Sequence, residues 1–402
     1  MAGPAGLTFL YMPPSSFSAG DLKQALANTT DGMPSSTSVS SSQDYVSYPL
    51  VSRHGRTYLR DPDNPYPLPC DLAEIHRQTL RTLIQITVFG KPFCTNRFDE
   101  HPPQRVLDLA CGSGLWSHKC HEYFARRGHP NVAFTGVDVV NLAPDLQKQG
   151  VHWQFKRVDF SKRPDRPRQQ LPFPDEYFDF VFIKDVSLCP PGLDMDYRYG
   201  PLSEVLRVLK PGGVVEVWDS DHIFRCLLPN PPSAPGLEQG SHDQATATGT
   251  FTISAATPFA EAQNRYLKDY NAWITKAFEK YNLIALPSSA ANMTFTYESE
   301  RLHHFSSRRV AIPLGEIKWE QKQQETGQRK PLTPDQLAIR QMTLLTVVQM
   351  IEGMEPILRE ASGKGRDEWD RWWTGLITDL MQNGGVATGE CLEIGAWWAQ
   401  KR

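Results

Sequence analysis

Between Gln104 and Trp218 short apolar runs alternate with stretches of helical period. Val106-Leu107-Asp108-Leu109-Ala110 reads as a buried strand, and Trp116 to Arg127 as a helix. Val132 to Val137 and Val151 to Val158 read as the second and third strands. Phe178 to Ile183, apolar apart from Asp179, reads as the fourth. A helix over Leu202 to Leu209 ends at Lys210-Pro211-Gly212-Gly213, and Val214 to Trp218 makes a fifth strand. Strands and helices alternating at this spacing predict an α/β fold with a parallel, doubly wound sheet.

The flanks carry other patterns. Residues 1–55 are rich in Ser, Thr, Pro and Gly and bury too little apolar surface to offset their ordering entropy, which predicts a disordered tail. In the lead-in, residues 56–103, Asp71 with Glu74 three residues later predicts a capping box. The helix it opens carries Leu72, Ile75, Leu80, Leu83 and Ile84 as its apolar stripe. The core spans residues 104–228, and residues 229–257 are expected to form a flexible insert loop. Residues 258–402 then supply a helical cap and the last strands: a helix over Pro258 to Leu283, a strand over Arg308 to Pro313, a helix capped by Thr333 with Pro334 at its first position and running to Ala361, a helix over Asp367 to Gln382, and a strand over Glu390 to Trp398.

Composition narrows the function. A net charge of −3 argues against a protein that mainly grips nucleic acid through phosphates. No apolar run reaches the length of a membrane span, and no basic stretch precedes an apolar core at the start, so neither a span nor a secretory signal is expected. The 7 cysteines include no CxxC pair, which fits reduced thiols in the cytosol or nucleus. The pairs His118…His121 and His303-His304 lack a third ligand at useful spacing, so no metal site is expected.

Candidate chemistry gathers at the strand ends. Asp108-Leu109-Ala110-Cys111-Gly112-Ser113-Gly114 places a glycine turn after the first strand, where backbone can approach a ligand and a helix N-terminus faces it. The turn is not GxGxxG, and the acid at the strand end suits an ammonium rather than a pyrophosphate. Asp138, followed by Val139, ends the second strand where an acid can accept both hydroxyls of a ribose. Asp159-Phe160 ends the third, with a carboxylate for an adenine amine and a ring for its face. A nucleoside with a cationic tail is S-adenosylmethionine. Lys184 and Asp185 follow the fourth strand, and Asp221-His222 the fifth, with His222 a general-base candidate. Asp179 is expected to brace its strand, the Arg163, Arg166 and Arg168 loop to be solvated, and Trp369, Trp372, Trp373, Trp397 and Trp398 to fill core.

DLACGSG, GVDVV, LPFPDEYFDFVFIKD and EVLRVLKPGGVVEV, in this order over Gln104 to Asp221, resemble successive motifs of class I S-adenosylmethionine-dependent methyltransferases. More loosely, the YPLP sequence at Tyr66 to Pro69 and the late aromatic strand resemble fungal methyltransferase-like proteins of the secondary-metabolism-regulator type. The resemblance implies a Rossmann-like, mostly parallel seven-stranded sheet with helices on both faces. It also implies cofactor contacts from Asp108, Ala110, Gly112, Gly114, Asp138, Val139, Asp159, Phe160 and Lys184. Ala110 stands where many members have Gly, with little harm expected. The implied reaction is methyl transfer to an O, N or S nucleophile of an unidentified acceptor, a small metabolite being favoured over nucleic acid, with Asp185 or His222 as base where one is needed. The rival reading is a regulatory subunit that binds the cofactor but acts through a protein partner; an NAD-dependent oxidoreductase is disfavoured by the glycine pattern.

Overall fold

The apolar runs between Arg105 and Ser220 fold as neighbouring parallel strands with apolar side chains buried on both faces. They are seen in a computed structural model that describes residues 50–53, 55–60, 66–158, 170–189, 202–382 and 384–402. The N-terminal tail to residue 49, Asp159, Phe160 and the Arg163, Arg166 and Arg168 loop lie outside the described residues.

A hairpin of β1 (Leu50–Arg53) and β2 (Arg56–Leu59) leads to α1 (Leu72–Phe89). The core then runs β3 (Arg105–Leu109), α2 (Leu115–Ala125), β4 (Ala133–Asp138), β5 (His152–Arg157), β6 (Phe178–Lys184), α3 (Leu202–Val208) and β7 (Leu209–Ser220). Beyond it come β8 (Arg225–Leu227), α4 (Gln239–Ala247), β9 (Phe251–Ile253), β10 (Phe259–Glu261), α5 (Arg265–Tyr281), α6 (Pro287–Tyr297) and β11 (Leu302–Pro313). The chain closes with α7 (Lys318–Glu325), α8 (Pro334–Gly353), α9 (Glu355–Ser362), α10 (Arg366–Ile377) and β12 (Glu390–Lys401).

The main sheet has the order β5-β4-β3-β6-β7-β12-β11. β12 runs antiparallel to both β7 and β11, and the other strands of this series share one direction. This is the expected seven-stranded, doubly wound pattern, extended to a 10-stranded sheet by the short antiparallel strands β8, β9 and β10. Val106, Phe134, Phe180, Phe182 and Trp218 face one layer, where Trp116 of α2 stacks on Phe182 with ring centroids 3.7 Å apart. Leu107, Val137, Val181, Val215 and Val217 face the other, with α3 and α6. Asp179 accepts the N–H groups of Gln104 and Arg105 and pairs with Lys210 at 2.6 Å, so it braces β3 and β6 at their entry.

Four elements depart from expectation. The 229–257 insert is not a bare loop: it holds α4 and β9, because Phe251-Thr252-Ile253 pairs with the edge Arg309–Ala311 of β11, and Gln244 ties α4 to the Thr87 carbonyl. The helix expected from Pro258 starts only at Arg265, where Asn264 accepts the N–H groups of Tyr266 and Leu267. The helix from Thr333 opens with a full capping box to Gln336 but stops at Gly353, because Pro356 cannot donate to the carbonyl four residues back. The Asp71–Glu74 capping box is only half made: Asp71 accepts the Glu74 N–H, while the Glu74 carboxylate turns to Arg77 and Gln78. Of the late tryptophans, Trp369, Trp372 and Trp397 are buried, the first two beside Trp273.

Candidate cofactor and acceptor site

The turn after β3 is made of residues in the left-handed region. Ala110, Gly112 and Gly114 have φ of 59°, 50° and 69°. For the glycines this conformation is easy; for Ala110 it is strained. Gly114 caps α2, and a Cβ there would meet Leu146 and Ala143 at 3.1 and 3.2 Å. The turn therefore lies close against β4 and the segment after it.

Asp138, at the end of β4, is anchored into this turn. Its Oδ2 accepts the Gly112 N–H at 2.8 Å and its Oδ1 the Val139 N–H at 2.7 Å. A carboxylate offers about four lone-pair positions, so both oxygens keep capacity for a further donor. Burial raises its pKa, with the Gly112 and Val139 N–H groups opposing. Asp108 lies on the neighbouring strand, 2 % exposed, and accepts the Ser117 hydroxyl at 2.7 Å. Burial pushes its pKa up to about 7, against the pull of Ser117 and of Lys184. The strand ends thus bring Asp108, Ala110, Gly112, Gly114, Asp138, Val139 and Lys184 around one turn. The amide that would greet a phosphate there, that of Gly112, is already spent on an acid.

The second half of the site comes from α1 and was not foreseen. Its buried face is largely polar: Glu74, Arg77, Arg81 and Gln85 point inward beside Ile84, Val88 and Phe89, whereas Leu72 and Leu83 of the expected apolar stripe are exposed. Glu74 and Arg77 form a two-pronged ion pair at 2.8 and 2.7 Å. Gln78, one turn from Glu74, sits over the glycine turn, its Oε1 3.3 Å from where a Gly112 Cβ would be. Arg81 reaches Asp185 at 3.3 Å, and Lys184 pairs with the other Asp185 oxygen. Burial alone would raise the Asp185 pKa, but Arg81, Lys184 and Arg77 together hold it below the ordinary carboxylate range.

Ser187, just past Asp185, links two buried groups. It donates from Oγ and N to Asp219 at 2.8 and 3.0 Å, and its Oγ lies 3.0 Å from His222 Nε2. Burial, reinforced by Arg81, lowers the His222 pKa to about 3, so this imidazole is neutral throughout the physiological range. Burial and the Asp185 charge raise Asp219 to about 7. The signal that could have found α1 was polar spacing at 74, 77, 78, 81 and 85, one face of a helix. Ser187 and Asp219 carried no local signal. Among the described residues no cluster of His, Cys, Asp and Glu could hold a metal ion.

Residues 106–213, which contain β3, the glycine turn, Asp138 and β6, match the family model described as a methyltransferase domain. Residues 106–213 carry the signature of a methyltransferase domain. Relatives are similar over parts of the chain. The secondary metabolism regulator laeA of Aspergillus niger is 36% identical over 103 residues, 24% of each chain. The ubiquinone/menaquinone biosynthesis C-methyltransferase UbiE of Vibrio vulnificus is 33% identical over 125 residues, 31% of this chain and 44% of that one. The sterol 24-C-methyltransferase ERG6B of Gibberella zeae is 31% identical over 130 residues, 29% and 28% of the two chains. The chain thus spans less than half the length of these relatives.

Proposed function

We propose that the protein transfers a methyl group from S-adenosylmethionine to an O, N or S nucleophile of a small-molecule acceptor. The observation that carries this reading is the pair of acids, Asp108 and Asp138, set at adjacent strand ends around a glycine turn whose central amide Asp138 already occupies. Such a turn repels a pyrophosphate and accepts a cationic nucleoside. In this reading Asp108 takes the ammonium of the methionine end, Asp138 the ribose hydroxyls, and Gly112 and Gly114 allow close approach. Val139 and Lys184 flank the ligand, and Asp159 and Phe160 serve the adenine. The cofactor supplies an electrophilic methyl on a sulfonium, so the chain's own task is alignment and exclusion of water.

Asp185, matched by two cations, is a weak proton acceptor; its role is to position Arg81 and Lys184. His222, neutral and linked through Ser187 to Asp219, is the better base for an acceptor that must lose a proton. Its low proton affinity restricts it to transient acceptance along that chain. The 7 cysteines are all free, which supports a reducing compartment, cytosol or nucleus. Among the described residues no helix is long and apolar enough to cross a membrane.

The deciding experiment is calorimetric titration with S-adenosylmethionine, S-adenosylhomocysteine and NAD. Saturable binding of the two adenosyl ligands, with none for NAD, is expected. A folded protein that binds neither adenosyl ligand would overturn the enzyme reading and direct attention to a protein partner.

A further inference from the structure

A buried polar group without a partner costs about 1–3 kcal/mol, so several in one place call for an explanation. Four lie on α1 and α5. Arg77 Nη1, Arg81 Nε, both amide atoms of Gln85 and the Tyr270 hydroxyl are all buried and without a hydrogen-bond partner. Their residues are 3 %, 4 %, 1 % and 0 % exposed. Gln85 follows Arg81 by one turn on the same face of α1. Tyr270 comes from α5, and both it and His222 lie within the field of Arg81 and Arg77. Arg77, Arg81 and Tyr270 therefore gather at the junction of α1, α5 and the carboxyl end of β6, with Gln85 one turn further along the same face of α1.

Glu74 pairs with Arg77, and Arg81 and Lys184 share the carboxylate of Asp185. Asp108, in the field of Lys184, and Asp219, in that of Asp185, are each raised to about 7 and only partly ionised at neutral pH, so what is left over is hydrogen-bond donors: Arg77 Nη1 and Arg81 Nε.

We propose that this junction is the acceptor site, and that the acceptor is a small oxyanion, a carboxylate or an already ionised hydroxyl, bound by Arg81 and Arg77 and oriented by Gln85 and Tyr270. The proposal rests on the methyltransferase reading above. It also accounts for the poor bases nearby. An oxyanion lone pair forms the new O–C bond while the C–S bonding pair passes to sulfur, giving a methyl ester or ether and a neutral thioether. No proton is released, so neither Asp185 nor His222 has to take one. The aromatic rings of Tyr270 and Phe278, the latter 5.3 Å from the His222 ring, suit an aryl body behind the oxyanion.

The test uses full-length protein saturated with S-adenosylhomocysteine and follows 4-fluorobenzoate and its neutral near-isostere 4-fluorobenzamide by fluorine NMR. The benzoate is expected to bind at least about tenfold more tightly than the amide, as charge-assisted hydrogen bonds require. Arg81→Gln should weaken the benzoate about tenfold or more while leaving S-adenosylhomocysteine affinity unchanged. Because that variant strands Asp185, Tyr270→Phe and Gln85→Met are made in parallel. In a purely structural role these deletions of unpartnered groups raise thermal stability and leave the probe alone; in an acceptor site they weaken the probe several-fold. Equal binding of acid and amide, or no binding of either, overturns the proposal. So does an Arg81→Gln variant that loses S-adenosylhomocysteine and keeps benzoate, since the guanidinium would then serve the cofactor's own carboxylate. Failure of the wild type to bind S-adenosylhomocysteine at the outset sinks the underlying methyltransferase reading instead.

Discussion

Asp138→Asn separates the two duties of one carboxylate. In the free protein the side chain accepts the Gly112 and Val139 N–H groups at 2.8 and 2.7 Å. The amide can accept only one of them and sets its NH2 against the other donor. Loss of a hydrogen bond to a charged acceptor costs about 1.5–3 kcal/mol. The cost is partly offset, because burial already disfavours the charged form. A net destabilisation of about 1–2 kcal/mol is expected in urea unfolding. Cofactor affinity should fall further, by about 10- to 100-fold, as one or both ribose hydroxyls lose a charged acceptor. Calorimetry with S-adenosylhomocysteine and with its 2′,3′-dideoxy analogue completes a cycle. The deoxy ligand should bind wild type weakly and Asp138→Asn no worse. A folded variant that binds S-adenosylhomocysteine like wild type refutes the ribose assignment. An equal loss for both ligands would show that Asp138 only shapes the turn.

Three further outcomes follow from the same geometry. Asp108, raised to about 7 in the fold against about 3.9 unfolded, binds more protons folded than unfolded between those values, so its contribution makes the free protein less stable as pH climbs from about 4 to about 7. An ammonium ligand favours the ionised carboxylate, so S-adenosylmethionine should release a proton on binding at pH 6 and bind more tightly toward pH 7; titrations in two buffers of different ionisation heat measure this, and absence of proton release speaks against the assignment. Ala110→Gly relieves a φ of 59°, worth about 1–2 kcal/mol, and gives back about 0.4–1 kcal/mol in unfolded-chain entropy, so the urea midpoint should rise; a lower midpoint contradicts the strain argument. Gly136→Ala would place its Cβ 2.1 Å from Trp153 Cη2 and 2.8 Å from Cys111 Sγ, a destabilisation of about 1–3 kcal/mol that a second change, Trp153→Leu, should partly reverse; additivity of the two changes would count against the clash.

The strands were legible because β3, β4, β6 and β7 are buried on both faces and write continuous apolar runs. The cofactor turn was legible because it is local: Asp108 to Gly114 is one stretch of chain. What stayed hidden depended on distance. Ser187 meets Asp219 and His222 across 32 and 35 residues, and nothing near Ser187 marks it. β9 looks like polar insert until β11 offers its edge. Ala110 was expected to cause little harm, yet its backbone conformation is one that L residues seldom adopt. The largest departure concerned α1, where Ile84 of the expected stripe is buried but Leu72 and Leu83 are exposed. The helix turns its charged residues inward because Glu74 pairs with Arg77 and Arg81 with Asp185 there.

That inversion bears on how α1 opens and closes. A helix docked by apolar burial is held regardless of what occupies the site, whereas much of α1's inward face is held by groups that belong to the site. Its amides should therefore exchange with solvent through a local opening of lower free energy than that of β3 or β6, which lie in the middle of the sheet. Ligands that take up the leftover donors would slow that exchange from Arg77 to Gln85 and leave the sheet's rates unchanged. Occupancy of the site would then be written into the hydrogen-exchange protection of a helix that precedes the methyltransferase domain in the chain.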